Sequence, residues 1–190
     1  MKRVFGIIAV FLCIGVLLTG CGNNNNNIKS NLSGTSSDIL KKLVSKASEL
    51  DTDKKNGINS IKVEENIIDK DEVEDILGLT EDEFKKYVES AVESKPVDSW
   101  YNHSVVVVKL KDGTNVKEIA EKIVANTSPS RFGCLKASKI EGAYSGNYVI
   151  FAASDESTVD VVIKAFKEMT NGNMKTITRE NNWDTGMFDE

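Results

Sequence analysis

Apolar and polar positions divide the chain into three unlike stretches. Val4 to Leu18 is an uncharged apolar run of about 15 residues, shorter than the roughly 20 that a helix needs to cross a bilayer. From Gly22 to Ser37 the apolar pattern lapses. Asn23 to Asn27 are five successive asparagines, and Ser, Gly and Thr dominate the next ten positions. Such a segment buries too little apolar surface to order itself and reads as a tether. As a flexible coil, its residues span roughly 20 Å.

Beyond the tether, periodicity returns. Ile39, Leu40, Leu43, Val44, Ala47 and Leu50 recur at helical spacing behind a cap at Ser37 or Asp38, with Lys41, Lys42, Lys46 and Glu49 on the other face. Asp51 to Asn59 breaks that pattern with charge, Asn56 and Gly57. Asp69 to Leu77 reads as a short helix closed by Gly78, and Thr80 with Glu83 forms a capping-box pattern. Phe84 to Ser94 fits two periods. Phe84, Tyr87, Val88, Ala91 and Val92 suit a helix, whereas Val88, Ser90, Val92 and Ser94 alternate as in a strand.

Ser104 to Lys111 is the clearest strand, and its four valines, Val105 to Val108, imply a central strand wetted on neither face. Asp112-Gly113 turns the chain into a helix capped from Thr114 and carrying Val116, Ile119, Ala120, Ile123 and Val124. Ser128-Pro129-Ser130 ends that segment. Lys136 to Tyr144 and Asn147 to Ala153 then form a hairpin about Ser145-Gly146. Asp155 to Ser157 caps a last helix with Val159, Val162, Ile163 and Phe166, stopped at Asn171-Gly172-Asn173. With Val88 to Ser94 as a strand, the order is ββαββα. It predicts one α+β domain over 37–180: an antiparallel sheet of about four strands with helices packed on one face, preceded by an N-terminal helix.

The apolar run gains meaning from its ends. Lys2 and Arg3 precede it and Leu18-Thr19-Gly20-Cys21 closes it, which together read as a bacterial lipoprotein signal over residues 1–20. The thiol of Cys21 receives a diacylglyceryl group, a peptidase cuts before it at the small residues, and further acyl chains such as palmitate are added. Two or more chains anchor a protein stably. The expected location is the outer face of a Gram-positive cell membrane, with residues 21–36 as the tether. Residues 1–20 hold two of the 24 basic residues and none of the 29 acidic ones, so the remainder carries about −7. That balance argues against nucleic acid and against polybasic lipid contacts.

Candidate chemistry is sparse. Cys13 leaves with the signal and Cys21 is consumed by lipid, so Cys134 is left without a disulfide partner. Cys134 and His103, the one histidine, could form a nucleophile and base for acyl transfer, with Arg131 as an oxyanion partner. No orienting Asn or Asp motif accompanies them, and the expectation is no catalytic residue, no metal and no cofactor. Asp51 to Lys62 fails as a calcium loop: position six is Asn56 and position twelve is Lys62 rather than glutamate. Asp184-Thr185-Gly186 matches an aspartic-protease tripeptide but has no second copy to share a proton. The tail, residues 181–190, places Trp183, Met187 and Phe188 among acidic residues. It either packs back on the domain or docks.

The lipoprotein box, the polar spacer, Val105-Val106-Val107-Val108-Lys109, the Gly146-Asn147-Tyr148-Val149 strand opening and Ala165-Phe166 on the final helix together resemble an uncharacterised family of small Gram-positive lipoproteins, the domain of unknown function 4358. The resemblance covers about residues 36–170. It implies localisation and fold, favours a strand for Phe84 to Ser94, and supplies no activity. The function expected is a non-catalytic binding or scaffold module of the cell envelope, whose partner is an envelope protein or cell-wall component. The alternatives are a small-ligand-binding lipoprotein serving a transporter and the Cys134/His103 enzyme.

Overall fold

The computed structural model describes residues 28–52, 57–98, 101–131 and 136–182. One antiparallel sheet of six strands organises them, in the spatial order β1-β2-β3-β5-β4-β6. The strands are β1 (Val63–Ile67), β2 (Val88–Pro96), β3 (Ser104–Leu110), β4 (Lys139–Ser145), β5 (Tyr148–Ser154) and β6 (Lys175–Thr178). The helices are α1 (Ser36–Leu50), α2 (Val73–Leu77), α3 (Glu81–Tyr87), α4 (Val116–Asn126) and α5 (Glu156–Met169). From β2 onward the order strand, strand, helix, strand, strand, helix is the expected one. Its four strands are the inner four of the sheet.

Two expectations need correction. The sheet has six strands rather than about four, because β1 and β6 flank the inner set. Both are short and largely wet. Short edge strands that are wet on most positions carry little apolar signature in the sequence. The helices, moreover, cover both faces instead of one. Val105 and Val107 pack with Ile150, Ala152, α1 and α5, whereas Val106 and Val108 pack with Val149, Phe151, α2 and α4. Successive strand residues point to opposite faces, so an unbroken valine run in β3 requires a helical layer on each side. The valine run is thus the better guide to the layering than the number of amphipathic helices.

The segment with two periods is both things in turn. Thr80 and Glu83 close the capping box that starts α3, and the helix stops at Tyr87 where β2 begins. A bulge between Val88 and Ser90 then shifts the register. It puts Val88 in the α4-side core and Val92 in the α1-side core, two faces that an unbroken alternation would not separate. Gly78 ends α2 at φ 60°, the left-handed cap expected of it. A Cβ there would lie 2.2 Å from that of Asn126, whose side-chain amide donates to the Gly78 carbonyl at 3.1 Å.

At the N-terminus the cap of α1 is Thr35, with Asp38 as the other half of its capping box, rather than Ser37 or Asp38 itself. The chain also joins the domain before residue 37. Gly146 N–H donates to the Ile28 carbonyl at 2.9 Å, and the Tyr148 hydroxyl donates to that of Gly34 at 2.7 Å. Ile28 and Leu32 pack against the two cores. The β4–β5 turn is Gly146-Asn147, one residue later than the sequence pattern suggests, with Ser145 opposite Tyr148. Among the described residues no helix is long and apolar enough to cross a membrane.

Candidate functional site

Buried polar side chains gather at one end of the sheet. Glu93 on β2 and Ser104 at the start of β3 share the α4-side face, and both are buried. Arg131, from the segment after α4, reaches in with its side chain 10% exposed. Its guanidinium spans the carboxylate, with Nη1 on Oε1 and Nη2 donating to Oε2 at 3.2 Å. Ser104 Oγ donates to Oε1 at 2.5 Å and accepts from Arg131 Nη1 at 3.2 Å. Three donors thus engage the two carboxylate oxygens. A carboxylate held in this way is a structural counter-ion, since a general base needs a lone pair directed at substrate. Arg131, the oxyanion partner in the alternative Cys134/His103 reading, donates to the Glu93 carboxylate.

Sequence reasoning does not single out Glu93, because the alternation through Val88, Ser90, Val92 and Ser94 places the other face of the strand inward. A glutamate between Val92 and Ser94, in a strand with apolar neighbours, is the available signal. Cys134, Asp184-Thr185-Gly186, Cys21 and residues 183–190 of the tail lie outside the described residues. Asn181 sends its amide to the Ser138 carbonyl at 2.7 Å. Among the described residues no three His, Cys, Asp or Glu side chains converge as a metal site.

His103, just ahead of β3, is fully buried, and neither ring nitrogen has a hydrogen-bond partner among the described residues. Burial pushes its pKa down to about 4. It is therefore neutral at pH 7 and a weak base. Because its folded value lies below the ordinary 6.5, stability is complete above pH 6.5 and is lost as pH falls through 4. The expected loss is about 2 kcal/mol by pH 5 and about 3 kcal/mol at pH 4. Urea melts of the wild type and His103→Leu at pH 7, 5 and 4 check this. The substitution should remove most of the slope over that range; an unchanged slope would assign the acid sensitivity to other groups.

A second feature lies at the β1 edge on the other face. Leu40, Lys41, Val44 and Ser45 of α1 and Val63, Glu64 and Glu65 of β1 wall a groove of about 400 Å³, with Ser94 of β2 in its lining. Lys41 Nζ lies 3.5 Å from Glu65, and Ser37 Oγ donates to the same carboxylate at 2.7 Å, which ties the helix to the strand. Ser94 Oγ is buried and has no hydrogen-bond partner among the described residues. Beyond the groove the chain is strongly acidic: from Glu64 to Glu83 it carries ten carboxylates and one basic residue, Lys70.

No family model, curated protein or solved structure matches the chain.

Proposed function

We propose that the protein is a lipid-anchored module of the bacterial cell envelope, held to the outer face of the membrane through Cys21, that binds a partner and performs no chemistry. Leu18-Thr19-Gly20-Cys21 behind Lys2, Arg3 and a short apolar run supports the anchor. The resemblance to the domain of unknown function 4358 points the same way. The binding reading rests on one contrast. The most deeply placed ionic group, Glu93, is consumed by Arg131 and Ser104, whereas the α1–β1 groove is walled by Leu40, Val44 and Val63 and leaves a hydroxyl unsatisfied. Exposed apolar surface of this kind marks sites of partner or ligand binding. The groove's volume also falls in the range of small-ligand sites, which keeps the transporter-linked reading as the second one.

The anchor is tested by metabolic labelling with a fatty-acid probe. Wild type is expected to take up label and fractionate with membranes, and Cys21→Ala to lose both. Label retained by Cys21→Ala would overturn the assignment. The binding part is tested on intact cells with a photo-crosslinker at Val63, on the groove, and at Lys164, on the exposed side of α5. A discrete partner at either position supports a binding module; crosslinks at neither would refute it.

A further inference from the structure

We infer that the groove-and-edge surface of β1 takes an extended, positively charged peptide segment of a partner protein, which pairs with β1 as a seventh strand. This rests on the binding-module reading above and names its partner class. The backbone geometry of β1 carries the first part. Lys62 accepts a hydrogen bond from Val97 N–H at 2.9 Å, and Ile68 N–H donates to the Ala91 carbonyl at 3.0 Å. Even-numbered residues therefore turn their main-chain groups toward β2. Val63 is opposite Pro96, which has no N–H to give. In an antiparallel pair such a position is non-hydrogen-bonded, and its main-chain groups point away from the neighbour. Val63, Glu65 and Ile67 thus direct their N–H and C=O groups outward, where no strand of the described residues lies. Added-strand recognition uses such an edge: main-chain bonds supply affinity and alternate side chains supply selectivity.

The two faces of that added strand would meet different surroundings. On the α1 face are Val63 and Ile67, the latter 72% exposed, with the groove walled by Leu40 and Val44. Ser94 Oγ belongs to the lining of this groove, buried and without a hydrogen-bond partner among the described residues. On the other face are Glu64 and Glu72, the second held near β1 by the Asn66 amide. Lys95 lies 3.5 Å from Glu64, yet the stretch around them remains heavily anionic. Side chains alternate across a strand, so the fitting peptide alternates apolar and basic residues. Apolar ones enter the groove and basic ones face the carboxylates. Glu65, on the groove side, is already met by Lys41 and Ser37.

The test uses the full chain in neutral detergent and a fluorescent octapeptide of alternating lysine and valine. Two control peptides accompany it: one with the same residues in two blocks, and one with glutamate in place of lysine. The alternating peptide is expected to bind saturably, at least about tenfold more tightly than either control. Ile67→Pro removes one outward N–H without touching the β2 ladder, and should weaken binding about tenfold, whereas Ile67→Thr should change it less than about threefold. Val44→Lys, which places a charge in the groove, should also weaken it, with thermal melts verifying that each variant is folded. Equal binding of the alternating and block peptides, or indifference to both Ile67→Pro and Val44→Lys, would overturn the inference and leave only general attraction between charges. Should the octapeptide fail while the cell crosslinker captures a partner from Lys164, the binding module stands and this surface does not. Failure of the octapeptide together with silence at both crosslinking positions removes both.

Discussion

Glu93→Ala is expected to cost about 3 to 5 kcal/mol, because it takes away the carboxylate that spans the largely buried Arg131 guanidinium. In a domain of this size that lowers the melting temperature by about 10 °C or more. Arg131→Met should cost a similar amount, since the Glu93 carboxylate is wholly inaccessible to water and among the described residues would keep the Ser104 hydroxyl alone. The double variant Glu93→Leu/Arg131→Met removes both desolvated charges, and an apolar pair of similar volume often serves as well as the ions. It is therefore expected to be far more stable than either single variant. Urea titrations of the wild type, the two singles and the double at pH 7 read the coupling directly. A loss under about 1 kcal/mol for Glu93→Ala would mean that water reaches the pair, and the description of Glu93 as a buried structural counter-ion would fall.

Phe151→Ala and Phe166→Ala should each cost about 3 to 5 kcal/mol, the range for deleting a fully buried aromatic. Neither side chain is accessible to water, yet they belong to different cores: Phe151 lies under α4, and Phe166 lies on α5 against the opposite face. The informative measurement is their combination. Two full truncations together could exceed the 5 to 15 kcal/mol that typically holds a domain. Phe151→Leu and Phe166→Leu, at about 1 to 1.5 kcal/mol each, are the variants to combine. With the sheet between them and no shared neighbours, their effects should add to within about 0.5 kcal/mol. A larger departure would contradict two independent helical layers and favour a single core on one side of the sheet.

Local patterning determined much of the fold. Thr80 with Glu83, Gly78 after Leu77, and the apolar stripes of α1, α4 and α5 specify helices whose caps and buried faces depend on neighbours a few residues away. The valine run of β3 and the β4–β5 hairpin are similarly local, and with the two helices α4 and α5 they set the βαββα order from β3 onward. Leu18-Thr19-Gly20-Cys21, on which the proposed anchor rests, is more local still: four residues closing an apolar run.

What the tertiary structure decided depends on residues far apart in the chain. Val63 to Ile67 and Lys175 to Thr178 become strands only because β2 and β4 offer open edges to pair with; neither carries a run that would announce it. The bulge after Val88 reverses which face each later residue of β2 occupies, and a strict alternation could not reveal that reversal. Glu93 is an ordinary strand residue until Arg131, 38 positions later, is brought against it. The groove likewise exists only where α1 lies across β1. Helical stripes, caps and tight turns are short-range and can be read from the chain. Edge pairing, register after a bulge and a buried ion pair are contacts across the sheet, and only folding brings their members together.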